Sequence, residues 1–422
     1  MAGPLNHIRV LDLSRVLAGP WAGQTLADLG AEVIKVERPG LGDDTRSWGP
    51  PFLHDAEGQP TTDAAYFLSA NRGKKSVSID FTKAEGRELV CRLVEKSDIL
   101  LENFKVGGLA KYGLDYETLK QINPRLIYCS ITGFGQTGPY RQRAGYDFLI
   151  QGMGGLMSVT GEADGEPGGG PMKVGVAIVD IFTGMYASTA VLAALAHRER
   201  TGEGQHIDLA LLDVQVATLA NQAMNHLIAG NEPQRMGNAH PNIVPYQALA
   251  TADGHIILAV GNDNQFRKLC ALANRSELAD DARFASNAAR VENRKVLIPI
   301  LEQILQQRSS SDWITLLEGA GVPCGPINTL AEVFTDPQVE AREMRIEMEH
   351  QRAGKVALVG SPMKFSQSPV EYNQAPPTLG EHNSEILGEL LGLSEQERLQ
   401  LAKEGVIDAG PAVTAGPQQT ES

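Results

Sequence analysis

The sequence has 422 residues, with 37 lysines and arginines against 51 aspartates and glutamates, and a formal charge of −14. Its 42% hydrophobic and 21% charged composition is globular, and the length allows roughly two to three domains with cores that need no disulfide or metal staple. The acidic balance argues against bulk binding to nucleic acid or an anionic membrane, so any anionic ligand must meet a local concentration of positive charge.

In chain order, residues 8–13 read as a strand, 21–30 as a helix and 32–37 as a second strand. A third strand is expected at 76–81, a helix at 84–96, and strands at 98–102 and 125–131. Short β-branched runs alternating with helical patterns predict right-handed βαβ units and a parallel sheet. Residues 161–170 (GEADGEPGGG) form a flexible loop by composition. The apolar stretch 181–196 is shorter than a membrane span and contains Thr183, Gly184, Ser188 and Thr189, so it is expected as a helix, 181–200, buried in protein. A strand at 206–211 and a helix at 213–229 follow.

The character changes near Gly230. Residues 231–245 are polar, carry Pro233, Gly237, Pro241 and Pro245, and read as a linker or functional loop. The segments 246–250 and 256–260, joined through Asp253-Gly254, predict a hairpin. Helices are expected to about residue 320, with 288–308 strongly periodic, and 356–359 is expected to return to a sheet. From about residue 407 the composition predicts disorder. Cys91, Cys129, Cys270 and Cys324 lie far apart with no CxxC pair, which fits a reducing compartment. With no signal or transit pattern at the first residues, a cytoplasmic protein is expected.

Several residues carry candidate chemistry. Glu37, ending the second strand, would suit a ribose hydroxyl in a nicotinamide dinucleotide site. The preceding turn, SRVLAGP (14–20), lacks the glycines that such a site needs. Basic residues gather beside the strands: Arg38, then Arg72, Lys74 and Lys75, then Lys105 and Lys111, then Arg141 and Arg143. Loops at the carboxyl edge of a parallel sheet would present them to a phosphate-bearing ligand, although solvated surface charge is the plainer reading for any one lysine. Asp180 is the only charged residue between Lys173 and His197. At the start of an apolar helix it suits an N-cap, and also a carboxylate nucleophile held ionised by the helix end. His240, in GNAHP (237–241), is a candidate substrate contact or a plain loop histidine. No HxxxH or His-Cys cluster is present, so no metal is expected.

The segments RVLAGP (15–20), DLGAEVIKVERPGLGDDTR (28–46), LENF (101–104) and YCSITGFGQTGP (128–139) together resemble the class III CoA transferases. AGYD (144–147), VGVAIVDIFTGMYA (174–187), TGEGQHIDLALLD (201–213), GVPCGPI (321–327) and LGEH (379–382) extend the likeness along nearly the whole chain. Within that family, GDDTRSWGPPF (42–52), IVPYQA (243–248) and IEMEH (346–350) are most similar to members that exchange CoA between succinate and glutarate.

The resemblance implies an α/β fold with a doubly wound, mostly parallel, Rossmann-like large domain. That domain would be discontinuous, 1–225 with 335–405, with a smaller α+β domain at 232–330, an interlocked homodimer and a disordered tail at 406–422. It implies Asp180 as the nucleophile, CoA entering as the acyl-CoA substrate, and no metal. Val16, Leu17, Ala18, Arg38, Ile79, Asn103, Phe104, Lys105, Lys111, Arg143 and Tyr146 match its CoA-binding segments. Arg72 and Lys75 join that set on charge alone. Succinyl-CoA is the expected donor and glutarate or a similar dicarboxylic acid the acceptor, with Arg15 and Arg46 as candidate cations for the remote carboxylate. Formyl-CoA transferases of the family carry Gln where this chain has Leu17, which argues against an oxalate/formate pair. The related α-methylacyl-CoA racemases carry a histidine where this chain has Tyr146, a phenol of reference pKa about 10 and a poor proton shuttle. A racemase, a non-catalytic acyl-CoA binder and a nicotinamide oxidoreductase are the alternatives.

Overall fold

A computed structural model describes residues 3–408. Eight strands precede residue 211: β1 (Arg9–Asp12), β2 (Glu32–Glu37), β3 (Phe52–His54), β4 (Pro60–Ala64), β5 (Lys74–Ser78), β6 (Ile99–Glu102), β7 (Ile127–Thr132) and β8 (His206–Ala210). Six of them form a parallel sheet in the order β5-β2-β1-β6-β7-β8, with β3 and β4 a separate antiparallel hairpin. Successive side chains point to opposite faces. On one face Leu11, Ile34, Val77 and Leu100 pack with Leu89, Val90 and Leu93 of α2 (Ala84–Glu95); α1 (Ala18–Asp28) lies on the other. There Val10, Val33, Ile99 and Leu101 meet Ala22 and Leu26 of α1, together with Val191 and Leu195. Burial on both faces is why these strands read as continuous apolar runs rather than as alternating ones. The winding reverses between β1 and β6, so the chains leaving those strands diverge and open a crevice at the carboxyl edge.

Two helices shape that crevice: α3 (Asp147–Met153) and the long α4 (Ile178–Thr201). Among the described residues α4 alone is long and apolar enough to cross a membrane, yet Val179, Ala187, Val191 and Ala194 pack into the core beneath the sheet.

The chain divides into two compact units. The first comprises the described residues up to Gly154, then Gly175–Leu219 and those from Gln338 onward; the second is Gly155–Val174 with Ala220–Pro337. The second unit carries β9 (Tyr246–Ala250), β10 (His255–Ala259) and the short β11 (Cys324–Gly325), antiparallel in the order β11-β10-β9. Its core joins Ile256 and Leu258 to Phe266, Leu297 and Trp313.

Two expectations are corrected. The helix expected at 213–229 is broken into Leu211–Thr218 and Ala220–Ala229, with Ala220 at φ 46°, where the first unit ends. The return to a sheet expected at 356–359 is found in β13 (Gly354–Val359), which pairs with β12 (Arg345–His350) in a two-stranded antiparallel sheet of its own. The tail expected to be disordered from 406 is packed through its first residues, Val406 and Ile407 being buried beside Ile386 and Leu387. Residues 409–422 of that tail lie outside the described residues.

Candidate active site

Two adjoining cavities, of about 200 and 580 Å³, occupy the crevice at the carboxyl edge and share Arg15, Phe104 and Lys105. The smaller is lined further by residues 16–18, Asp44, Asn103, residues 131–133, Arg141, residues 143–146 and Asp180. The larger runs along Arg38, Asp43, residues 79–82, Lys111 and Tyr112. Arg15, Lys105, Arg141 and Arg143 face the smaller cavity against only two acids, Asp44 and Asp180, and Arg38 and Lys111 extend the positive lining into the larger. Positive charge is thus concentrated locally in a chain of charge −14. Arg15 stands where both cavities meet; its Nη1 lies 2.9 Å from Asp44 Oδ2 and its guanidinium 5.1 Å from the centre of the Phe104 ring.

Asp180 owes its setting to the start of α4. The residue before that helix is Ala177, whose side chain caps nothing. Asp147, at the start of α3, supplies the missing acceptor: its Oδ1 takes the amides of Val179 at 2.8 Å and Asp180 at 3.4 Å. The helix begins at Ile178 rather than at 181, so Asp180 falls inside its first turn and the expected N-cap role passes to Asp147. Asp180 is 9% exposed. Burial, then the neighbouring Asp147 charge, pushes its carboxyl up to about 7, against the stabilisation that a helix end gives an anion. Burial and Asp147 thus oppose the ionisation that the helix end was expected to favour. The Tyr66 phenol belongs to the same neighbourhood; burial raises its pKa first, and then the charges of Asp180 and Asp147.

The cavities bring together most of the residues expected at the site: Arg15, Val16, Leu17, Ala18, Asn103, Phe104, Lys105, Arg143, Tyr146 and Asp180 in the smaller, Arg38, Ile79 and Lys111 in the larger. Three residues do not belong there. Arg72 and Lys75 stand at the amino end of β5, the opposite edge of the sheet, because residues that precede a strand cannot reach its carboxyl end. Arg72 Nη2 pairs with Asp28 at 2.5 Å, and Lys75 pairs with Glu32 at 2.8 Å and Glu385 at 2.5 Å. Arg46 is buried, bidentate on Glu37 at 2.7 Å, paired with Asp63 at 2.7 Å and 3.7 Å above the Phe67 ring. Four of its five N–H donors are taken, one of them by the Pro377 carbonyl at 3.0 Å, and it lines neither cavity; Glu37 also accepts the Asp43 amide and the Ser76 hydroxyl and is committed to this network rather than to a ribose. His240 belongs to the second unit, where its Nδ1 accepts the Asn242 amide at 3.1 Å and its ring rests 5.3 Å from that of Tyr246.

Asp147, Asp44 and Tyr66 were not legible as site residues. Asp147 sits within AGYD, but its partner amides lie more than thirty residues further on, and no local spacing signals that contact. Among the described residues no group of three or more His, Cys, Asp or Glu side chains is arranged to hold a metal ion.

Residues 5–383 match the model of CoA-transferase family III. The chain is 55% identical over 387 residues to a succinate–glutarate CoA-transferase of Agrobacterium fabrum, covering 92% of this chain and 96% of that one. It is 44% identical over 405 residues to the succinyl-CoA:glutarate CoA-transferase of Homo sapiens, covering 96% and 90% respectively. Its fold is similar to the crystal structure of a CAIB/BAIF family protein from Brucella suis, with a TM-score of 0.81, 56% identity and coverage of 92% and 100%. With a crevice at the reversal of the strand order, a local positive lining and a buried aspartate in its wall, the chain belongs to CoA-transferase family III and is an enzyme that transfers CoA.

Proposed function

We propose that the enzyme moves CoA from succinyl-CoA to glutarate through covalent intermediates on Asp180. The observation that carries this reading is a buried carboxylate in the wall of a small cation-rich cavity that opens onto a longer one. The names of the two relatives supply the acids. In the first half-reaction Asp180 attacks the succinyl thioester carbonyl and expels CoA thiolate, leaving a mixed aspartyl–succinyl anhydride. The thiolate attacks the aspartyl carbonyl, succinate leaves, and an aspartyl–CoA thioester remains. The carboxylate of glutarate then attacks that thioester, expelling the thiolate and forming an aspartyl–glutaryl anhydride. Attack of the thiolate on the glutaryl carbonyl yields glutaryl-CoA and regenerates the Asp180 carboxylate. No proton is gained or lost, so the protein's tasks are to exclude water and to meet each developing oxyanion with fixed donors.

Arg38, Lys105 and Lys111 are suited to the phosphates of CoA, with Val16, Leu17, Ala18, Ile79, Asn103, Phe104, Arg143 and Tyr146 along the rest of the molecule. Arg15, fixed where the two cavities meet, is suited to the remote carboxylate of the dicarboxylates. A second copy of the chain would cover the apolar side chains that α3 and α4 expose, among them Phe148, Leu149, Phe182 and Met185, as an interlocked homodimer requires. The four cysteines are free, which fits a cytoplasmic setting.

A matrix of CoA thioesters against carboxylic acids, read by mass spectrometry, tests the reading. Succinyl-CoA with glutarate is expected to give glutaryl-CoA; absence of exchange for every dicarboxylate pair would leave an acyl-CoA binder. In the same matrix Arg15→Ala is expected to raise KM for glutarate about tenfold or more with a smaller change for a monocarboxylate, and an unchanged KM removes Arg15 from that role. The value of kcat/KM for succinyl-CoA is expected to rise with pH as Asp180 ionises, with a midpoint near 7. Asp147→Asn keeps a cap for α4 but removes the like charge, so the midpoint should fall. A profile that is the same in both enzymes contradicts the electrostatic account.

A further inference from the structure

The turn joining β1 to α1 holds Val16 at φ 72°, a conformation that a β-branched residue rarely adopts. Every backbone polar atom from the Ser14 amide to the Val16 amide is taken by a side chain from elsewhere. Asp12 accepts the Ser14 amide at 3.0 Å, and Lys35 Nζ donates to the Ser14 carbonyl at 2.9 Å. Asn103 accepts the Arg15 amide at 2.9 Å and donates to the Arg15 carbonyl at 2.6 Å. Asp43 Oδ1 accepts the Val16 amide at 3.2 Å.

Two buried ion pairs stand behind these contacts, Lys35–Asp43 at 2.8 Å and Lys74–Asp12 at 2.9 Å, with all four side chains fully shielded from solvent. Beyond Val16, the amides of Leu17 and Ala18 have no partner among the described residues, and both residues line the cavity that holds Asp180. Burying four charges beneath one turn is costly and adds little stability over apolar packing, so the arrangement calls for a role beyond packing.

We propose that Asp43 and Asn103 are positioning residues, which clamp the strained turn so that the first amides of α1 stay aimed at the carbonyl reacting with Asp180. The proposal rests on Asp180 being the nucleophile and gives a positioning role to Asp43, which lines only the larger cavity, and to Asn103, which besides lying along CoA holds both polar atoms of the Arg15 backbone. Glycine enters positive φ without strain, so Val16→Gly should let the turn form when the clamp is weakened.

The test uses the full-length enzyme, Asp43→Asn, and Asp43→Asn combined with Val16→Gly. The rate of covalent adduct formation at Asp180 is read by rapid quench and peptide mass spectrometry, alongside KM for succinyl-CoA. Asp43→Asn is expected to slow adduct formation about 100-fold with KM changed by less than about threefold, and Val16→Gly to restore about tenfold. An adduct rate within about threefold of the parent, or a loss that Val16→Gly leaves untouched, overturns the clamp. If Asp43→Asn does not fold, Asn103→Ala with and without Val16→Gly takes its place, with an expected loss of about tenfold and the same rescue. Amide hydrogen exchange across residues 14–18 gives a readout independent of chemistry. Faster exchange in the clamp variant is expected, and unchanged exchange rejects the clamp even if the parent forms no adduct, an outcome that by itself rejects only the Asp180 reading.

Discussion

Asp180→Asn is expected to abolish CoA exchange, by about 10⁴-fold or more, while making the free protein more stable above neutral pH. The two effects have one origin. Burial and Asp147 raise the carboxyl from its ordinary value of 3.8 to about 7, so the folded protein keeps a proton on Asp180 through a range where the unfolded chain has lost it. The contribution of Asp180 to stability is therefore greatest at the acid end and falls as pH rises from about 4 through 7, at about 1.4 kcal/mol per unit. Above that range the folded protein carries a buried carboxylate beside another one. Asparagine has nearly the same shape and no such titration. Urea unfolding at pH 5 and pH 8 should show the gain of the variant over the parent growing to a few kcal/mol at the higher pH. A gain of equal size at both values would mean that Asp180 is not the titrating group.

The second large effect is expected at Gly184, one turn beyond Asp180 on α4. A methyl group there would meet the Ala18 carbonyl oxygen at 2.7 Å and the Trp21 side chain at 3.0 Å. The contact is with backbone at the first residue of α1, so it cannot be relieved by rotating a side chain. Gly184→Ala must push the start of α1 away from α4, and with it the residues 17 and 18 that share a cavity with Asp180. Overpacking of this kind costs about 1–3 kcal/mol. Misplacing catalytic groups by about 1 Å costs about 100-fold in rate. The folded variant, checked by its thermal melt, should therefore lose about 100-fold in kcat with a smaller change in KM for succinyl-CoA. A kcat within about threefold of the parent would mean that the α1–α4 spacing does not matter to the chemistry.

Much of the large unit was legible in the sequence because its sheet is buried on both faces. Val10, Leu11, Val33, Ile34, Ile99 and Leu100 announce strands by composition alone, and the parallel arrangement follows from the helices between them. The β3–β4 hairpin was not legible: its strands are three and five residues long and carry no apolar alternation. Asp180 stood out because it is an isolated charge in an apolar helix, but its protonation state depends on Asp147, which only the fold brings near.

The arginines and lysines divide by the same logic. Arg38, Lys105 and Lys111 follow strands and reach the crevice, whereas Arg72 and Lys75 sit at the other end of β5 and are neutralised by Asp28, Glu32 and Glu385. Arg46 follows β2 and lies at the right edge, yet Glu37 and Asp63 hold it in a buried network away from the cavities. Sequence marks a cation and its edge of the sheet; it does not mark the carboxylate that claims it from across the fold. The strained Val16 turn was invisible for a related reason, since Asp12, Lys35, Asp43 and Asn103 come from four separate segments.

The covalent role of Asp180 is the centre of this account, and one measurement reaches it directly. The enzyme is mixed with succinyl-CoA, quenched with hydroxylamine or acid, digested and mapped by mass spectrometry. A hydroxamate or CoA thioester on the peptide that contains Asp180, lost when glutarate is added before the quench, is the expected result. An unmodified Asp180 peptide in enzyme that is turning over, or the label on any other residue, would contradict it.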